Sequence, residues 1–282
     1  MSTGPEQWIA PRLTDGLGNR LFQLAAAHQA ASRWGLPLAF ALPKSQPASH
    51  GSWDTIFRMF PDIPTLWDLS GCSSYVFSQT NCFEHLEFPE RTPGERVILR
   101  GLPLAAAYIH PRFPQPSWST LVPDLDTFLK SWNLETREKQ MKTIFLHVRL
   151  GDYLKLPHHQ VGKLPHHQVG LISYYAKSLC MFEEDMRVLI FSDEIERAKQ
   201  IPLFDSSFTF VTEADEGRAL CLMSHCLGGA ITANSTFSWW GAYFAHMANP
   251  SGHVTCMPSK WMATDVNTDG VYPSWAIKVS VD

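Results

Sequence analysis

In the second half of the chain, short apolar runs alternate with stretches of helical period. Ile144-Phe145-Leu146, Val188-Leu189-Ile190-Phe191 and Gly229-Ala230-Ile231 are of strand length, and between them apolar side chains recur at helical spacing. This predicts strands over 143–148, 187–191, 208–211, 229–233 and 253–257, with helices over 173–181, 194–200, 214–226 and 235–247. Strands separated by helices imply a parallel sheet, and such sheets bind ligands at the carboxyl ends of their strands. Arg149, Ser192, Asp193, Asn234, Ser235 and Thr236 each follow a predicted strand and are expected at that edge.

The first half opens in the same style. A strand is predicted over 8–14, demoted to an edge or irregular strand by Pro11. A turn over 15–19 leads to a helix over 20–34, with Leu21, Leu24, Ala25, His28 and Ala31 on one face and Gly35 to end it. A strand over 38–42 completes a β-loop-α-β opening. The middle is less regular: a strand over 96–100, then Pro111, Pro114, Pro116 and Pro123 in a linker or crossing loop, then a helix over 125–142. The division expected from this is an α/β domain over 1–123 and a second over 124–282.

Composition narrows the class. With 282 residues, 45% hydrophobic and 18% charged, the chain is neither disordered nor a coiled coil. Its 23 basic against 27 acidic side chains, net −4, argue against nucleic-acid binding by phosphate neutralisation. No apolar run approaches the roughly 20 residues of a membrane helix. The polar stretch 1–7 lacks the apolar core of a signal peptide, so a cytoplasmic location is expected. Six cysteines without a CxxC pair read as reduced thiols, with Cys221 and Cys226 in the core.

Three segments offer chemistry. Asp15-Gly16-Leu17-Gly18-Asn19 is a glycine turn feeding a helix N-terminus, where polar and anionic ligands bind; a tight turn with a capping Asn19 is the plainer reading. It is not a dinucleotide fingerprint, because Leu21 holds the place of the third glycine. His147-Val148-Arg149-Leu150-Gly151-Asp152-Tyr153 puts His147 and Arg149 on one side of a strand end. A guanidinium there can grip a phosphate through two N–H groups, Gly151 allows a close turn, and Asp152 can hold Arg149 or His147 in place; a surface Arg149–Asp152 ion pair is the alternative. Asn234-Ser235-Thr236-Phe237-Ser238-Trp239-Trp240-Gly241 offers hydroxyls, an amide and free N–H groups, a phosphate cradle that needs no metal, or else a helix cap with a buried aromatic helix. Asp124-Leu125-Asp126 has the form of a metal-binding DxD but follows Pro123 and suits a helix start. An eight-residue tandem repeat, Lys155 to Gly162 and again Lys163 to Gly170, reads as an extended mobile surface loop. Its His158, His159, His166 and His167 leave metal binding open.

Together these motifs resemble the α-1,2-fucosyltransferases of glycosyltransferase family 11. The family's Gly-Gly-Leu-Gly-Asn-Gln and following Phe-Gln correspond to Asp15 through Arg20 with Phe22-Gln23. Its His-Val-Arg-Arg-Gly-Asp-Tyr corresponds to His147 through Tyr153 with Leu150 in the second Arg place. Phe191-Ser192-Asp193, Asn234 through Gly241 and Pro258-Ser259-Lys260-Trp261 match further motifs, in family order. Asp15, Arg20, Leu150 and the repeat depart from the pattern.

The resemblance implies an α/β, GT-B-like architecture of two Rossmann-like domains facing a cleft, the first toward the acceptor and the second binding GDP-fucose. It implies transfer of L-fucose with inversion and no metal or other cofactor, to a terminal β-galactoside at O2. Arg149, with Ser235 and Thr236, would meet the β-phosphate. His147 and Asp152 would orient Arg149 or touch ribose and phosphate, and Asp193 would read ribose or guanine. Gly18, Gly151, Ser192, Asn234 and Phe237 would line the donor site, Asn19 would lie near the sugar and β-phosphate, and Asp15 is the candidate base. A fucosyltransferase of different linkage, a GDP- or glycan-binding module without turnover, and a metal protein built on the repeat are the alternatives.

Overall fold

The computed structural model describes residues 7–41, 51–66, 69, 71–77, 81–90, 94–160 and 171–282. The chain divides into two units, Met1–Leu121 with Asp269–Pro273, and Val122–Thr268 with Ser274–Asp282. The first boundary lies two residues from the 123/124 division expected from the prolines. The return of 269–273 to the first unit was not expected. Gly270 packs so closely there that a Cβ would fall 1.8 Å from the carbonyl oxygen of Phe83.

The first unit contains β1 (Trp8–Pro11), α1 (Leu17–Trp34), β2 (Phe40–Ala41), α2 (Trp53–Met59), β3 (Thr65–Leu66), β4 (Ser73–Val76), β5 (Arg96–Arg100) and α3 (Trp118–Leu121). Among the described residues β1, β5 and β4 form a parallel sheet in that order, and β2 pairs with β3. Pro11 is tolerated because alternate residues donate to opposite sides. Trp8 and Arg12 donate to Glu95 and Leu99 beside β5, at 2.8 Å each, whereas Ile9 donates away from it to Pro37 at 2.9 Å. Pro11 shares the side of Ile9, so its missing N–H takes nothing from the β1–β5 ladder. The alanines of α1, Ala26, Ala27, Ala30 and Ala31, lie on Val97 and Leu99 of β5, and their small side chains let helix and sheet approach. The helix begins at Leu17 rather than at residue 20, so Gly18 and Asn19 lie in its first turn and not in a preceding loop.

The second unit contains α4 (Leu125–Ser131), α5 (Arg137–Met141), β6 (Thr143–Val148), α6 (Ile172–Leu179), β7 (Arg187–Ser192), α7 (Ile195–Ala198), β8 (Thr209–Phe210), α8 (Glu216–Ser224), β9 (Gly229–Ile231), α9 (Thr236–Ala248), β10 (Val254–Pro258) and β11 (Ala276–Val279). Its described strands form one parallel sheet in the order β11-β10-β9-β6-β7-β8. β6 occupies the expected residues at the centre, where it is buried along its whole length. The helix expected over 125–142 is two helices. Asn133 between them has φ 56°, which a right-handed helix cannot carry through, and Thr136 starts the second by accepting from the N–H of Lys139. Asp124 caps α4 by accepting from Thr127 at 3.2 Å. Ile144, Leu146, Val148, Ile190 and Ile231 build the core with Tyr174 and Tyr175. Trp239 and Trp240 are both fully buried. The six cysteines are free, and Cys221 and Cys226 are buried. No helix of the described residues is long and apolar enough to cross a membrane.

Candidate active site

β6 ends at Val148 and hands the chain to Arg149, at the carboxyl edge of the sheet. The buried hydroxyl of Tyr175 fixes that strand end by donating to the carbonyl of His147 at 2.9 Å. Arg149 is held by two carboxylates. Its Nη2 donates to Asp152 Oδ1 at 2.7 Å, and its Nη1 pairs with Asp193 Oδ2 at 3.1 Å. The other oxygen of Asp193 accepts the Leu150 N–H at 2.9 Å. Nε of Arg149 is buried and has no partner among the described residues. A guanidinium has five N–H donors, so the two carboxylates fix its plane and leave donors over.

Gly151 leaves room for the Asp193 carboxylate. A Cβ there would stand 2.4 Å from Asp193 Oδ2, inside the carboxylate that orients Arg149. Asp193, expected to read ribose or guanine, thus contacts Arg149 and the backbone of β6's exit. Ser192 accepts from the Glu194 N–H at 3.1 Å and shapes the turn after β7.

His147 is buried, with its ring 6.0 Å from that of Phe237. Burial, and then the charge of Arg149, push its pKa down to about 3, so it sits neutral beside the guanidinium. Its Nδ1 also lacks a partner among the described residues.

At the end of β9, Asn234 is buried and donates through Nδ2 to the carbonyls of Trp261 at 2.9 Å and His159 at 3.1 Å. Both amide hydrogens are therefore engaged within the fold. Ser235 stands at the N-cap of α9, yet its side chain takes none of the helix N–H groups. Thr236 opens the helix and is partly exposed.

Tyr153 belongs to the central motif but had no expected role. The structure makes it the hub: its hydroxyl donates to the Asn234 carbonyl at 3.1 Å and the Arg149 guanidinium lies 5.3 Å from its ring centre. Burial pushes its pKa up to about 12, so it remains a donor. His159, in the first copy of the repeat, stacks on Tyr153 with ring centres 4.2 Å apart and planes at 8°. The described part of the first copy, residues 155–160, is thus no plain surface loop. It carries a short 3₁₀ turn, Pro157–His159, built against the site; residues 161–170, with the second copy, lie outside the described residues.

On the first unit, Asp15 has φ 61°, a conformation a Gly adopts freely, and Gly is the residue that the resembling motif places there. Buried Gln23 secures this corner. Its Oε1 accepts the Thr14 N–H at 2.9 Å, and its Nε2 donates to Thr14 Oγ1 at 2.7 Å and to the Gly101 carbonyl at 3.1 Å. Thr14 Oγ1 in turn donates to Asp15 Oδ2 at 2.9 Å. Arg20, the other departure in this motif, is fully buried. Its Nη1 donates to the Ser52 carbonyl at 2.8 Å and its guanidinium covers the Trp53 ring at 4.1 Å, so it secures the start of α2. Asp15, Gly18 and Asn19 therefore belong to the first unit, and the remaining expected site residues gather on the second.

The family model of glycosyl transferase family 11 matches residues 98–276, which include β6 and the ends of β7 and β9. The chain belongs to glycosyltransferase family 11. This family member is 29% identical over 139 residues to the O-antigen biosynthesis glycosyltransferase WbnK of Escherichia coli, a match covering 47% of this chain and 43% of that protein. The match thus spans less than half the length of that curated relative. Among solved structures, fucosyltransferase NodZ from Bradyrhizobium superposes with TM-score 0.50 at 16% identity, over 84% of this chain and 93% of that one. Its selenomethionine form gives TM-score 0.50 at 15% identity, over 84% and 91%. At such identities the likeness shows the fold, and this family 11 member is α/β and GT-B-like, with two Rossmann-like units on parallel sheets.

Proposed function

We propose that this glycosyltransferase moves L-fucose from GDP-fucose to a hydroxyl of a terminal β-galactoside, at O2, with inversion and without a metal. The observation that carries the reading is Arg149: a guanidinium fixed by two carboxylates, with a buried Nε left without a partner among the described residues, at the sheet edge beside the start of α9. The order of the family 11 motifs and the likeness in fold to a fucosyltransferase support it.

As the fucosyl bond breaks, negative charge builds on the β-phosphate of GDP. A pre-oriented guanidinium stabilises that charge without reorganising, and the Ser235 and Thr236 hydroxyls with the first N–H groups of α9 add donors. Asp152 and Asp193 act on Arg149 and hold its plane; neutral His147 lines the site beside it. Asn19 at the sugar and β-phosphate, and Asp15 as acceptor of the hydroxyl proton, complete the proposal. The test is incubation with GDP-fucose and a panel of galactosides, with the linkage of the product read by NMR. Fucosylated product at O2 supports the full reading, another linkage keeps the fucosyl transfer and removes the O2 assignment, and no product with any acceptor overturns it. One observation favours a second reading, a GDP-binding module without turnover: a single guanidinium here faces two carboxylates, with Leu150 where the motif has a second Arg. Binding of GDP without consumption of GDP-fucose would mark it.

A further inference from the structure

The described part of the first copy of the repeat, residues 155–160, is secured to the second unit at several points, and each meets a residue of the candidate site or its surroundings. The His159 carbonyl accepts from the Asn234 amide at 3.1 Å, and the His158 carbonyl accepts from the Ala263 N–H at 2.9 Å. Gln160 Nε2 donates back to the Leu154 carbonyl at 2.8 Å, which closes the segment onto the 3₁₀ turn Asp152–Leu154. Between these bonds the His159 ring lies flat on Tyr153, at 4.2 Å and 8°. Tyr153 in turn touches the site through its hydroxyl, on the Asn234 carbonyl and against the Ser235 side chain, and through its ring beside the Arg149 guanidinium. Tyr153, His159 and Asn234 form a closed circuit that Arg149 joins through the Tyr153 ring, and among the described residues the side chain of His159 stacks on Tyr153 and makes a tilted ring contact with His158 at 4.3 Å.

We infer that His159 is a positioning residue of the donor site: its ring presses on Tyr153 and so sets where Arg149 presents its free donors, a role that deepens and rests on the reading of this site as a nucleotide-sugar donor site. The geometry asks for a flat, uncharged ring. A planar stack of this kind is worth on the order of 1 kcal/mol, a few-fold in an equilibrium. A charged imidazolium would repel the guanidinium nearby. The groups facing His159 are His158, Asp152 and Arg149, and burial, His158 and Arg149 outweigh Asp152 and push its pKa down to about 4, which keeps the ring neutral at neutral pH. A Phe would meet the same demand, whereas an Ala would leave Tyr153 unsupported and keep the backbone bond to Asn234.

The test uses the full chain with His159→Ala, His159→Phe and, as a control at the equivalent place in the second copy, His167→Ala. The expected result is a three- to tenfold weaker calorimetric Kd for GDP, and a similar rise in the KM for GDP-fucose, in His159→Ala. The acceptor KM should stay unchanged, and His159→Phe and His167→Ala should match the wild type. Loss of GDP affinity in the Phe variant as well as the Ala variant, or in neither, overturns the positioning role. A second measurement needs no ligand: the His159 ring, followed by NMR, should titrate far below the ordinary histidine range and move back toward it in Tyr153→Ala. A His159 that titrates near the ordinary value in the wild type overturns the buried, neutral ring that the positioning role requires. Wild-type protein that binds no GDP while His159 titrates low overturns the donor-site reading, and the role in donor binding with it, and leaves the stack standing.

Discussion

Replacing Arg149 by Ala should change both the charge and the chemistry of the site. The cluster holds one guanidinium and two carboxylates, so it carries one net negative charge, and the variant would carry two. An incoming diphosphate would then meet Asp152 and Asp193 unscreened. One carboxylate and one phosphate charge at about 6 Å and an effective dielectric of about 20 repel by about 3 kcal/mol, on the order of a hundredfold in affinity. Loss of a donor that acts on the charge of the departing group costs a further hundredfold or so in kcat. Stability should fall by only about 1 kcal/mol, because the three side chains are 24 to 36% exposed and water screens the pairs. Calorimetry with GDP, turnover of GDP-fucose and thermal melting separate these effects. A triple variant, Arg149→Ala with Asp152→Asn and Asp193→Asn, removes the repulsion and should recover GDP affinity but not kcat. Arg149→Lys should rescue poorly, because a point charge cannot reach both carboxylates and a phosphate at once. Near-wild-type turnover in Arg149→Lys, or unchanged GDP affinity in Arg149→Ala, would refute the reasoning.

Gly151→Ala should push Asp193 away from Leu150 and Arg149, since the new Cβ would stand 2.4 Å from Oδ2. A loss of about 1–3 kcal/mol in stability and weaker GDP binding are expected, and a melting curve and GDP affinity like the wild type would show that the carboxylate moves freely. His147 and His253 are buried neutral, both with pKa near 3, mainly through burial. The unfolded chain binds their protons first, so stability present above the ordinary histidine pKa is lost as pH falls through it, by roughly 2 kcal/mol each between pH 7 and 5. Urea midpoints at the two pH values test this, His253→Phe should remove about 2 kcal/mol of the loss, and a pH-independent midpoint would contradict it. Transfer should persist in EDTA, since Asp124 is occupied as the cap of α4; loss restored by Mn²⁺ would promote Asp124 and Asp126 to metal ligands. Ser235→Ala should weaken GDP binding as well as turnover, and unchanged GDP affinity by calorimetry would leave Ser235 a helix-start residue alone.

Local pattern sufficed for much of the second unit. β6 is a continuous apolar run because both of its faces are buried, and a buried parallel strand writes itself into sequence as such a run. The same logic placed Arg149, Asp193 and Asn234 at strand ends, and the Phe22-Gln23 pair proved to be a core ring and a buried amide that secures Thr14. The strands of the first unit were harder to read, since two of them have only two residues and leave no period to detect. The split between α4 and α5 turned on one left-handed residue, Asn133. What the sequence could not show is which partners the site residues choose. Asp193 reaches Arg149 and Leu150 across some forty residues of chain, and Asn234 meets His159 across 75. Such contacts depend on the order of strands in the sheet, which sets β7 and β9 on either side of β6. Only that arrangement turns an acidic residue after one strand into the anchor of an arginine after another, and a histidine in a repeated loop into the support of a tyrosine.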